Sequence, residues 1–365
     1  MLALFVLVLL IFPLLLLGLG GWLVSFGLRV PDRRPQRMRR VLAVTAETIT
    51  LPRQEVTTSV GLCSIVWQQG DAMLGEIVAS SAQTVTRRII KASTPPTAGS
   101  LVYWHNKVYY ENPQSALGLT YEEVRVPGRL GELPAWLLPG ERKTWVLLVH
   151  GFRATREEAL RVLPAIVELG FPALVITYRN DAGAPRSPDH RYHLGETEWE
   201  DVEAAVRYAL THGAHDIVLF GWSMGGCLVE TFLRRSSEAR QVRAVVLDSP
   251  VLNWHSVLDA QAHSLHLPRW STFILKWMAE RLAGIDLATF NYDCPNEEMS
   301  IPTLLFHGTA DTQVPVGPSD RLAQACPDLV TYVRVEGVGH TRAWNADPQA
   351  YEQALKTFLQ EVAVR

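Results

Sequence analysis

Ser223 stands at the centre of Gly221-Trp222-Ser223-Met224-Gly225, and its surroundings set out the chemistry it could do. The apolar run 218–220 before it reads as a buried strand, and residues 227–235 after it read as a helix. A strand, a sharp turn and a helix would lift the hydroxyl above the end of a sheet. Glycines on either side suit a backbone too crowded for side chains. The helix start behind the serine supplies unpaired N–H groups and the positive end of a dipole. A hydroxyl so placed can attack an electrophilic carbon once a base takes its proton. The five-residue motif alone is short and fits an ordinary turn serine, so its strand–turn–helix context carries the argument.

This arrangement resembles the nucleophile elbow of the α/β-hydrolase family. The resemblance implies a serine hydrolase whose partners follow in the order Ser, acid, His. The acid belongs after a late strand, where His307-Gly308-Thr309-Ala310-Asp311 offers Asp311. The histidine belongs after the last strand, where Val338-Gly339-His340 offers His340. In that family His340 would deprotonate Ser223 and later protonate the leaving group, with Asp311 holding the ring tautomer. Asp248 is the competing acid, at the end of another strand. Asp347 is too close to His340 and reads as a helix cap. His307 reads as structural, and His255, His263 and His266 as solvent-facing. The segment His150-Gly151-Phe152 resembles the family's oxyanion loop, so the backbone N–H groups of Phe152 and Met224 would face the developing oxyanion. His150 itself would shape that loop.

These residues need a frame to bring them together. Short apolar runs at 145–149, 172–178, 216–220, 242–247, 303–307 and 329–335 read as strands. Helical periodicity at 155–169, 197–210 and 348–364 alternates with them. That pattern implies a mostly parallel sheet covered by helices, an α/β fold. Segments 120–126 and 133–138 read as an antiparallel pair ahead of it. The resemblance therefore covers a domain of about 118–365 and not the first third. Within it, about 251–300 is too long for a simple loop and reads as a two-helix cap, 253–266 and 270–282. Trp254, Trp270, Phe273, Trp277 and Met278 of this cap, with Trp222 beside the nucleophile, would line a site for an acyl or otherwise hydrophobic substrate. The same aromatics could equally pack the cap onto the sheet.

Residues 41–117 have a different texture, rich in Thr, Val, Ser, Ile and Gln. With the basic flank that precedes it, this stretch (29–117) reads as a membrane-proximal β-rich module, with extended pieces at 56–66, 75–80, 84–90 and 101–110. Its Tyr103, Trp104, Tyr109 and Tyr110 read first as that module's core, and second as a surface for substrate or bilayer.

From Leu2 to Leu28 there is no charged side chain. As a helix this stretch would be ~40 Å long, enough to cross a bilayer. It lacks the basic start and clear cleavage site of a signal peptide, so residues 1–28 read as an uncleaved single-pass anchor. Arg29, Arg33, Arg34, Arg37, Arg39 and Arg40 follow it, which places the catalytic part on the cytoplasmic side. The chain carries a net charge of −3 and has no basic face beyond this cluster, which argues against nucleic-acid binding. Its four cysteines have neither metal nor disulfide spacing. No phosphate loop, dinucleotide fingerprint or metal-ligand cluster appears, so no cofactor is expected.

Overall fold

The computed structural model describes residues 25, 27–30, 38–293 and 301–364. The anchor expected over 1–28 falls almost entirely outside them. Among the described residues no helix is long and apolar enough to cross a membrane.

The first sheet has seven antiparallel strands: Met38–Arg40 (β1), Ala43–Val44 (β2), Thr48–Pro52 (β3), Cys63–Trp67 (β4), Gly70–Ser80 (β5), Thr84–Ala92 (β6) and Leu101–His105 (β7). Their order is β1-β7-β4-β5-β6-β3-β2. Every second residue points into one core, as a period of two requires: Ile49 and Leu51, Cys63, Ile65 and Trp67, Ala72 and Leu74, Val102 and Trp104. Arg87 of β6 shares that buried side. Its guanidinium donates to the carbonyls of Gly75, Thr57, Ser59 and Gly61, so one side chain fixes the loop 57–61. The sequence reading put strand at 56–66, but residues Val56–Thr58 form a 3-10 turn and pairing starts at Cys63. Similarly, β7 stops at His105, and Val108 beyond it takes a positive φ of 68° that a strand cannot hold.

The second sheet has eight strands: Glu122–Gly128 (β8), Gly131–Leu138 (β9), Thr144–Val149 (β10), Ala173–Ile176 (β11), Asp216–Trp222 (β12), Val242–Asp248 (β13), Thr303–Gly308 (β14) and Val330–Val335 (β15). The order is β15-β14-β13-β12-β10-β11-β9-β8, and every pairing from β11 to β15 is parallel. The central strands β10, β11 and β14 are buried along their whole length, because helices cover both faces. One face packs on helices Trp199–Thr211 and Met224–Arg235, the other on Leu163–Glu168 and Pro348–Val364. The helix read at 155–169 is interrupted. A 3-10 stretch Arg156–Arg161 comes first, and Pro164, with no N–H to donate, sits in the first turn of a new helix. The cap contains helices Trp254–Ser264 and Arg269–Ala283.

Candidate active site

The loops at the carboxyl ends of β10, β12, β14 and β15 carry the chemistry, where a parallel sheet gathers its ligands. β12 ends at Trp222, and Ser223 turns the chain at φ 51°, a left-handed conformation costly for a side-chain-bearing residue. Three backbone bonds hold the turn. Ser223 donates its N–H to the Asp248 carbonyl, while its own carbonyl accepts from Gly226 and Val251, all at 3.0 Å. A Cβ on Gly221 would stand 2.6 Å from the Gly226 nitrogen, and one on Gly225 would stand 2.1 Å from the Val149 oxygen. No side chain fits at either place, so the two glycines let the elbow pack against its neighbours.

The Ser223 Oγ lies 2.9 Å from Nε2 of His340, and Nδ1 of His340 lies 2.6 Å from Oδ2 of Asp311. With Nδ1 donating to the carboxylate, Nε2 is left to accept the serine proton. Oδ1 of Asp311 accepts the backbone N–H groups of Gln313 and Val314 at 2.9 and 2.8 Å. Burial alone would raise the pKa of Asp311. The bonds from His307, His340 and Val314 outweigh it and hold the carboxyl well below its ordinary value. His307 is fully buried, bonded to Ser319 and the Val314 carbonyl, and stands 3.4 Å from Oδ2 of Asp311, the oxygen that His340 also meets. Asp248 is not beside His340. Its oxygens accept from Ser249 and Tyr351, and burial raises its pKa, against a role as a charged acid. Cys227 is buried under the elbow, and burial pushes its thiol up to about 12, so it stays protonated and inert.

The loop after β10 is fixed through one peptide unit. The Gly151 carbonyl accepts the Tyr178 hydroxyl at 2.9 Å and lies 2.9 Å from Nδ1 of His150. In a trans peptide the N–H of the next residue points the opposite way, so anchoring this carbonyl aims the N–H of Phe152. The Gly151 Cα faces the Ser223 side chain so closely that a Cβ there would be 3.0 Å from it. Among the described residues neither Phe152 nor Met224 has a backbone hydrogen-bond partner for its N–H. His150 stacks on Tyr178 and bonds Asp181 at 2.7 Å. Tyr178 and Asp181 carry no motif of their own, and sequence reasoning missed them. Their only signal was their position just past a buried strand.

A cavity of about 910 Å³ opens over Ser223 and His340. Of Trp222 and the described cap aromatics read as substrate contacts, only Trp254 lines it. Trp222 is 1 % exposed and stacks on Phe220 in the core, because alternation along β12 sends its ring to the helix-covered face. Phe273 and Trp277 sit on the outer face of the second cap helix, 74 % and 47 % exposed, and do not reach the cavity. The side chain of Trp270 lies outside the described residues.

The opposite wall comes from the first sheet. Tyr103, His105, Lys107 and Tyr110 line it, with the largely buried Trp104 among them, whereas Tyr109 packs edge-on against Trp344. His105 lies 3.5 Å from Glu157, and this contact, with Lys107 nearby, offsets burial and holds Glu157 down to about 2. Asn345, fully buried in the short helix Ala343–Ala346 after His340, joins the two sheets. Its amide nitrogen donates to Leu62 and Asn106 carbonyls, and its oxygen accepts from Arg161. Among the described residues no three His, Cys, Asp or Glu side chains gather as a metal-holding group.

Residues 163–363 match the family model described as the prolyl oligopeptidase family. Residues 40–105 match a domain of unknown function, DUF8805. An uncharacterised protein of Mycobacterium tuberculosis is 27% identical over 241 residues, covering 64% of this chain and 76% of that protein. An esterase of Pyrococcus furiosus is similar in structure, with a TM-score of 0.56 and 19% identity, over 69% of this chain and 94% of its own. Est1E of Butyrivibrio proteoclasticus, solved with ferulic acid bound, reaches a TM-score of 0.50 at 18% identity, over 66% of this chain and 100% of its own. These structures share the α/β-hydrolase fold with the sheet β8–β15.

Proposed function

The chain belongs to the prolyl oligopeptidase family of serine hydrolases, and on that premise we propose that Ser223, His340 and Asp311 act as its triad. Ser223 attacks an ester or thioester carbonyl as His340 takes its proton. The tetrahedral oxyanion faces the N–H groups of Phe152 and Met224, each such donor typically contributing ~3 kcal/mol. His340 then protonates the leaving group. Water, deprotonated by the same ring, releases the acyl group and restores the serine. The observation that carries this reading is the continuous pair of contacts, 2.9 and 2.6 Å, from Ser223 through His340 to Asp311.

The family match favours a second reading, in which the acyl group comes from a peptide amide. The chemistry is shared and only the leaving group differs. Profiling the purified protein against 4-nitrophenyl esters, acyl thioesters and aminopeptide amides separates the two. Faster turnover of esters and thioesters supports the first reading; selective turnover of amides overturns it.

Residues 1–28 serve in this account as a single-pass membrane anchor, with the catalytic part cytoplasmic. Their uncharged composition and the arginines that follow support this. The described end of the segment is tied to the catalytic part. Arg153 donates to the carbonyls of Gly27 and Arg29, and Leu28 and Val30 are buried. Fractionation of the full chain tests it. Extraction only by detergent is the expected result, and full recovery in the soluble fraction without detergent would refute it.

A further inference from the structure

Arg342 follows His340 by two residues and lines the same cavity as Ser223, yet it is only 8 % exposed. Its Nη2 donates to the Asn106 side-chain oxygen at 2.5 Å. Its Nη1 has no hydrogen-bond partner, and no carboxylate among the described residues stands within ion-pair distance of it. The groups around it add to its charge. Arg161, 2 % exposed, lines the same wall, and its Nη2 also lacks a hydrogen bond. Among the described residues its one carboxylate within ion-pair distance is Glu158, whose Oε1 stands 3.7 Å away while its Oε2 accepts the Gly151 N–H at 2.9 Å. Burial first, and then Arg161 and Arg87, push Arg342 down to about 10, which leaves it charged at neutral pH.

A buried guanidinium without an anion is among the most costly arrangements a protein can hold. Joining the two sheets does not require it, since the bond to Asn106 uses one donor and needs no charge. We propose that Arg342, backed by Arg161, is an anion subsite of the catalytic cavity, and that the substrate of Ser223 carries a carboxylate or phosphate that pairs with it. The planar fork of a guanidinium matches either group in two parallel bonds. This subsite would hold the substrate by its charged end while the acyl carbon lies at Ser223. The inference rests on the reading of Ser223 as nucleophile and adds the substrate's charge to it.

The test compares three 4-nitrophenyl esters on the full chain: a neutral butyrate, the hemiester of succinate, and a butyrate tipped with a phosphate monoester. The wild type is expected to favour one anionic ester over the neutral one by about tenfold or more, mainly in KM. Whichever of the two is favoured identifies the anion. Arg342→Gln keeps a donor for Asn106 but loses the charge, and should lower the anionic-to-neutral ratio of kcat/KM about tenfold. Arg342→Lys should recover part of that ratio. A wild-type ratio near one for both anionic esters overturns the proposal, and needs no variant that folds. So does an Arg342→Gln that slows all three esters in equal proportion, the mark of a purely structural residue. Turnover of the neutral ester without anionic preference sinks the subsite alone. Absence of turnover on all three, with Ser223 unreactive to a fluorophosphonate, sinks the triad reading and the subsite with it.

Discussion

The two walls of the cavity are built differently. On the wall made by β12, β14 and β15, the side chains of the triad are partnered: His340 is bonded at both nitrogens and Asp311 accepts from backbone and ring alike. On the wall where the first sheet meets the loop after His340, one guanidinium nitrogen each of Arg161 and Arg342, Nη2 and Nη1, has no hydrogen bond among the described residues. The triad side chains are held without a ligand, as groups that must keep a fixed proton-transfer geometry need to be. The second wall holds Arg342, which has no carboxylate within ion-pair distance among the described residues. On the proposed reading, catalysis and recognition are divided between one sheet and the seam between two.

Substitutions on the first wall should act on kcat. Ser223→Ala and His340→Ala should each cost up to ~10⁶-fold if the residues work as a unit, and Asp311→Asn about 10⁴-fold. Steady-state ester hydrolysis checks both, and an Asp248→Asn loss larger than that of Asp311→Asn would move the acid to β13. Tyr178→Phe removes one of the bonds that fix the Gly151 carbonyl. A fall in kcat of about five- to tenfold with KM little changed is expected. An unchanged kcat would mean that His150 fixes that peptide alone.

At the seam the readout is stability. Asn345→Ala strips partners from buried groups on both sheets and should cost about 2–4 kcal/mol, seen as a lower Tm. A Tm equal to wild type would show that the two sheets dock by other contacts. A further effect, read as pH dependence, lies in the helix that follows Ser223. Burial raises the Glu230 carboxyl from an ordinary 4.5 to about 7, against the weaker pull of Arg234. Between those values the unfolded chain has lost this proton and the folded chain keeps it, so stability falls as pH rises, by roughly 3 kcal/mol. Glu230→Gln should flatten the decline in Tm between pH 5 and 8, and an equally steep decline in the variant would contradict that.

The contrast also explains what was legible in the sequence. Ser223 was legible because a local pattern, apolar strand then Gly-x-Ser-x-Gly then helix, encodes its geometry within about fifteen residues. The positions proposed for Asp311 and His340 followed from the family's order Ser, acid, His laid onto the strands, since each lies just beyond a late strand. The seam had no such signature. Asn345 and Arg342 meet Asn106 through the packing of segments more than two hundred residues apart, and nothing in their neighbours announces it. The aromatics failed for a related reason. Trp222 was read by its nearness to Ser223, but one residue along a strand reverses the face. Phe273 and Trp277 were read from hydrophobicity, which does not say which side of a cap helix is outward.

The most direct test of the account is reaction of the folded full-length chain with a fluorophosphonate, followed by peptide mapping of the adduct. The account predicts a single adduct on Ser223, formed in the wild type and lost or greatly slowed in His340→Ala. A folded wild-type protein that gives no adduct on Ser223, or that labels equally fast without the histidine, would contradict it.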